Sequence, residues 1–181
     1  MAALSNDFTN QSVLIYDAYD NHLGSTVINN YERDAKQIQI NVMPESLKVN
    51  DNCKLLILTS PVPCEFMGRV KRVGGSLFIA MFQGQEKENR AAARYKVNTP
   101  AYIDAIIVDG QLHTLQTPVN VILINISTGG VRFRAPYYSF DKDDELQIHL
   151  IISNNRKIMT AKVVNLHDNG TASSDYSCQF T

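Results

Sequence analysis

Net charge is what this chain has least of. Its 17 basic and 18 acidic side chains leave -1 at pH 7. No overall field steers such a protein to nucleic acid or to anionic lipid, so any anion it binds must be held by a local cluster. Long apolar runs are missing too. None approaches the roughly 20 residues that cross a bilayer as a helix, and membrane insertion is not expected. The opening residues, "MAALSNDFTNQ", have no basic stretch leading into an apolar core, so they are expected not to form a secretory signal. Cysteine is scarce: Cys53, Cys64 and Cys178 are odd in number, widely spaced and free of any C-x-x-C. They read as small buried apolar side chains in a reducing, cytoplasmic compartment. The four histidines, His22, His113, His149 and His167, are scattered, with no pair at metal-ligand spacing. A nucleophile elbow, a Walker loop, a zinc signature and a dinucleotide fingerprint are all absent. The expectation is a protein that is not an enzyme and carries no metal or cofactor.

What the sequence does have is a period of two. "QIQINV" (Gln37 to Val42) and "EFMGRVKRV" (Glu65 to Val73) alternate, while "CKLLILTS" (Cys53 to Ser60) and "SLFIAMF" (Ser76 to Phe82) are short β-rich runs. Gly74-Gly75 reads as the hairpin turn between the last two runs of this half. The polar stretch Gln83 to Asn89 has no face to bury and reads as a linker. The second half resumes with "AYIDAIIV" (Ala101 to Val108), the turn Asp109-Gly110, and "LHTLQTPVNVILINI" (Leu112 to Ile126), in which Pro118 is expected at an edge or bulge. "GVRFRA" (Gly130 to Ala135), "ELQIHLII" (Glu145 to Ile152), "KIMTAKVVNL" (Lys157 to Leu166), the turn Asn169-Gly170 and "YSCQF" (Tyr176 to Phe180) complete it. Short strands at roughly 8 to 12 residue spacing predict an all-β fold of barrels or sandwiches. One short helical turn is expected around "ENRAAAR", where alanine favours helix.

Two segments stand out chemically. In "KENRAAARYKV", Arg90 and Arg94 lie four apart, on one face if the segment is helical. With eight arginines in the chain, an R-x-x-x-R arises by chance roughly a third of the time, so alone it says little. In "NISTGG", Asn125, Ser127 and Gly130 fit [D/N]-x-S-x-x-G. Both patterns in this order, within one β domain, are expected by chance on the order of once in a hundred sequences. The second segment is also an ordinary strand end and turn, and it can be that while binding a ligand.

With these two motifs the chain resembles the PilZ family, bacterial receptors for cyclic di-GMP. The resemblance runs from about Glu88 to the C-terminus and takes in "GGVRF" and the closing "CQF". It implies two small antiparallel β-barrel domains. The first, residues 1–82, is like the barrel of flagellar-brake proteins; a linker, 83–89, leads to a PilZ domain at 90–181. It also implies that Arg90, Arg94, Asn125, Ser127 and Gly130 bind cyclic di-GMP. Arginine suits that ligand, because its planar fork matches phosphate oxygens and the O6/N7 edge of guanine and its flat face stacks on a base. Asn125 and Ser127 offer hydrogen bonds, and Gly130 offers close backbone approach and access to positive φ. Many family members carry a further arginine where this chain has Asn89, and its absence implies one ligand per site. Signalling in the family implies that the ligand pins the linker to the barrel, reorients the domains and regulates a protein partner, a flagellar motor or envelope biosynthesis component.

A ligand-independent adaptor for protein–protein interaction is the competing reading, disfavoured because all five motif residues are present. Nucleic-acid binding is disfavoured by the balanced charge and the lack of aromatic-basic alternation. Arg132 and Arg134 share the outer face of a strand; a solvated face is expected over an extension of the positive surface near the site, and Arg69, Lys71 and Arg72 are expected in solvent over a partner site. Tyr137 and Tyr138 are expected to pack, in preference to touching a base or a partner, and "DKDD", Asp141 to Asp144, reads as a turn without the further ligands a metal needs.

Overall fold

The computed structural model describes residues 7–59, 62–82, 94–152, 155–169 and 172–181. All regular structure among them is β. The chain divides into two compact units. The first carries β1 (Ser12–Tyr16), β2 (His22–Glu32), β3 (Gln37–Ile40), β4 (Asn52–Ile57), β5 (Cys64–Val73) and β6 (Ser76–Phe82). They pair antiparallel in the order β1-β2-β3-β6-β5-β4, and β4 closes on β1 to form a barrel. The second carries β7 (Tyr95–Val108), β8 (Gln111–Ile126), β9 (Gly130–Pro136), β10 (Glu145–Ile152), β11 (Asn155–Asp168) and β12 (Ser173–Phe180). These run β10-β11-β12-β9-β8-β7 and close antiparallel from β7 to β10.

Closure removes the exposed strand edges that would otherwise template association, and alternation fills each interior. In the first barrel, Val13, Ile15, Ile28, Ile38, Leu55 and Ile79 meet at the centre, capped by Phe8, which packs against Tyr31 and Phe66. In the second, Phe133, Phe140 and Tyr176 pack with centroids 5.2–6.0 Å apart. The buried Tyr176 hydroxyl accepts hydrogen bonds from the backbone N–H groups of Ser139 and Phe140, which meets the need of a polar tip inside an apolar core.

The two hairpin turns expected from the sequence have left-handed backbone at each turn position: φ is 55° and 88° at Gly74 and Gly75, and 50° and 75° at Asp109 and Gly110. That geometry matches the twist of the flanking strands. Pro118 lies in a bulge, where the partners of β7 jump from Val119 to Thr114 between Ile103 and Ala105. The all-β expectation and the two barrels therefore stand. Neither β1 nor β2 announces itself in the sequence. All five residues of β1 are buried, so it shows no alternation, and β2 mixes Gly24, Ser25 and two asparagines into a long, half-exposed strand. The expected linker Gln83–Asn89 and the helical turn before Arg94 lie outside the described residues, as does Gly170 of the Asn169-Gly170 turn. No helix among the described residues is long and apolar enough to cross a membrane.

Candidate functional site

The second barrel carries a concavity of about 390 Å³ on its outer surface, where β8 turns into β9 beside β12. Arg94, just before β7, Asn125 near the end of β8, Ser127 in the turn and Gly130 at the start of β9 all line it. Four of the five residues of the two motifs are thus brought to one cavity. The fifth, Arg90, lies outside the described residues.

The turn is built by its own sequence. Ser127 N–H donates to the Gly130 carbonyl at 2.9 Å. The Ser127 hydroxyl donates to the same carbonyl and accepts from Gly129 N–H, both at 3.3 Å. Ser127 is only 8% exposed, so its first task is to hold the loop, and one lone pair stays open for a ligand donor. Asn125 pairs across the ladders with Lys96 on β7 and Arg132 on β9, at register shifts in both.

Gly130 is fixed by space. A Cβ at this position would lie 2.1 Å from the Cys178 carbonyl oxygen and 3.2 Å from Gln179 Cα, and all of these atoms are backbone. Its φ is not left-handed, so of the two expected roles positive φ falls away and close approach remains, here between β9 and β12. Gly129, by contrast, would place a Cβ in open space.

The register of β9 against β12 supplies the rest. Gly130, Arg132 and Arg134 face outward opposite Gln179, Ser177 and Asp175. Arg132, Ser177 and Gln179 line the cavity with exposed Val164 of β11, so its wall offers a guanidinium, a hydroxyl, an amide and an apolar surface. Arg134 is exposed on that face as expected, whereas Arg132 is half-buried and lines the cavity, which is the alternative of a positive surface extended toward the site. Arg134 grips Asp175 through Nε at 2.7 Å and Nη2 at 3.3 Å, and Arg132 Nη2 reaches the same carboxylate diagonally at 2.9 Å. Asn169 Nδ2 adds a fourth bond at 2.8 Å. Asp175 is 4% exposed although it faces outward, because these side chains cover it. Burial pushes its pKa up, but the hydrogen bonds from Arg134 and Asn169, the charge of Arg134 and the bond from Arg132 outweigh this and hold it below the ordinary carboxylate value. The same bond raises the Arg134 pKa. Arg132 Nε is buried and has no acceptor among the described residues, a state that costs about 1–3 kcal/mol. The sequence signal for this arginine was its alternation with Val131 and Phe133. Its partner Asp175, some 40 residues away, could not be read without the strand register.

The other conspicuous residues divide. Arg69, Lys71 and Arg72 are exposed on β5, with Arg69 donating to Asn52. Tyr138 is 83% exposed at φ 57°, and its packing is limited to Tyr137, whose hydroxyl donates to Asp168. Asp143 pairs with Lys162, and no group of metal-ligating side chains occurs among the described residues. All three cysteines are free, Cys53 and Cys178 buried and Cys64 partly so.

The PilZ domain profile matches residues 87–181, just over half of the 181-residue chain. No curated protein matches the chain significantly. Among solved structures, the chain is similar to the Bacillus subtilis inhibitor of motility MotI/DgrA, with 14% identity, 96% of this chain and 88% of that one covered, and a TM-score of 0.40. It is also similar to K. pneumonia MrkH in its complex with c-di-GMP (13% identity, 95% and 79% covered, TM-score 0.36). Escherichia coli YcgR in complex with c-di-GMP is a third such structure (10% identity, 95% and 76% covered, TM-score 0.37).

Proposed function

Because the chain belongs to the PilZ family, we propose that it is a cyclic di-GMP receptor whose ligand occupies the outer cavity of the second barrel. The observation that carries this reading is the convergence of Arg94, Asn125, Ser127 and Gly130 on that one cavity, with Arg132 beside them. The chemistry fits a dianionic, two-guanine ligand. The guanidinium groups of Arg94 and Arg132 serve phosphate oxygens or a guanine O6/N7 edge. Asn125 and the open lone pair of Ser127 take base donors, and Val164 offers an apolar surface to a base or ribose. Arg90 joins from the segment that precedes Arg94, and one ligand fills each site.

Binding draws the segment that joins the two units onto the second barrel. This changes how the first unit is presented to a partner, an order-forming or hinge switch of a general kind. The partner is a flagellar motor or envelope biosynthesis component, and the protein acts without turnover. Calorimetric titration with cyclic di-GMP tests the reading. Arg94→Ala and Ser127→Ala are expected to bind more than tenfold more weakly while staying folded, since a charge-assisted bond is worth about 1.5–3 kcal/mol. Unchanged affinity in both variants would refute the site. No heat and no thermal shift with the native chain would leave the ligand-independent adaptor instead.

A further inference from the structure

We propose that Asp175 is a positioning residue for the ligand cavity: it holds Arg132 in the orientation that presents its remaining donors to cyclic di-GMP. The inference rests on the receptor reading above and adds a residue that neither motif contains. Asp175 does not line the cavity, whereas Arg132 does.

A carboxylate has about four acceptor sites, and Asp175 uses four bonds: two from Arg134, one from Asn169 and one from Arg132. Arg134 lies directly across the β9–β12 ladder from it, and Arg132 reaches it from the next outward position, opposite Ser177. Arg134 and Asn169 fix the carboxylate, and the fixed carboxylate then fixes Arg132 through Nη2 alone. That leaves the other Nη donors of Arg132 to face the cavity it lines, while its Nε is buried. Two guanidinium groups share one carboxylate, so the cluster keeps one positive charge beside a site for an anion. A flexible arginine on an open strand face would have to be ordered by the ligand; this one is ordered beforehand, and the entropic penalty of binding falls accordingly. Asp175 also keeps two like charges from repelling across neighbouring outward positions of β9.

Titration of native protein, Asp175→Ala, Arg132→Ala and the double variant with cyclic di-GMP, with thermal melts of each, tests this. Asp175→Ala is expected to weaken binding about tenfold, Arg132→Ala at least as much, and the double variant no more than Arg132→Ala alone, because the aspartate acts through the arginine. A general structural role would give losses that multiply in the double variant, and that result overturns the proposal, as does native affinity in Asp175→Ala. If Asp175→Ala does not fold, Asp175→Asn and Asp175→Glu carry the same cycle, and the glutamate variant should retain more affinity than the asparagine one. Failure of the native chain to bind removes the receptor reading itself and this proposal with it; native binding with an additive cycle removes only the positioning role.

Discussion

Replacing Gly130 by alanine probes the site through its most tightly constrained atom. The added Cβ would stand 2.1 Å from the Cys178 carbonyl oxygen and 3.2 Å from both the Cys178 carbonyl carbon and Gln179 Cα. Ordinary non-bonded contact is about 3.5 Å, and every obstructing atom is backbone, so β9 and β12 must part by about 1.4 Å at this point. Overpacking of this kind costs about 1–3 kcal/mol. The Phe180 N–H bond to the Gly129 carbonyl, already 3.2 Å long, adds about 0.5–1.5 kcal/mol if it breaks. A loss of about 2–4 kcal/mol follows. For a domain of this size each kcal/mol moves the midpoint by about 4–8 °C, so the melting transition of the second barrel should fall by more than about 8 °C. Gly129→Ala is the internal control. Its Cβ meets nothing within 4 Å and its backbone is not left-handed, so stability should stay level or rise by up to about 1 kcal/mol. Differential scanning calorimetry of the two variants checks both. Equal melting temperatures would refute the claim that strand spacing, and not loop flexibility, places a glycine at this motif position.

Burial pushes the thiols of Cys53, beside the charge of Asp51, and of Cys178 up to about 12. In native protein at pH 8, a disulfide reagent should therefore label Cys64 first and the other two at least about 100-fold more slowly, until denaturant is added; mass spectrometry of the labelled chain reads the order. The Asp175 carboxyl is held below its ordinary value, so its stabilising contribution is present above the unfolded pKa, about 4, and is lost as pH falls through the lower folded value. Asp175→Asn should cost about 1 kcal/mol at pH 7, discounted because its arginine partners are half exposed, and this difference should shrink toward zero near pH 2 in urea titrations. A difference that stays constant across that range would contradict the ion cluster.

Much of this molecule was legible as a string because antiparallel strands with one solvated face write their period directly. Glu145–Ile152 and Ser76–Phe82 were bounded correctly, and the paired turns Gly74-Gly75 and Asp109-Gly110 announced themselves by composition. The strand Ser12–Tyr16 was hidden because it is buried on every residue, and His22–Glu32 because polar residues interrupt it. At the site, Arg94, Asn125, Ser127 and Gly130 were legible through short-range patterns. Of the two roles expected for Gly130, close backbone approach holds and positive φ does not; that the approaching backbone is that of Cys178 is a tertiary fact invisible to local conformational reasoning. Arg132 was visible only as an alternating charge. Its attachment to Asp175 depends on which residue of β12 faces which residue of β9, and a one-residue slip would have turned that carboxylate into the core.

Amide hydrogen exchange of the full chain with and without saturating cyclic di-GMP tests the central claim most directly. The account predicts protection concentrated at residues 83–96, which join the two units and carry both motif arginines, and at 125–132 and 177–179, with the far side of the second barrel, around Tyr102 and His149, unchanged. Protection elsewhere, or none at these residues despite saturation, would contradict it.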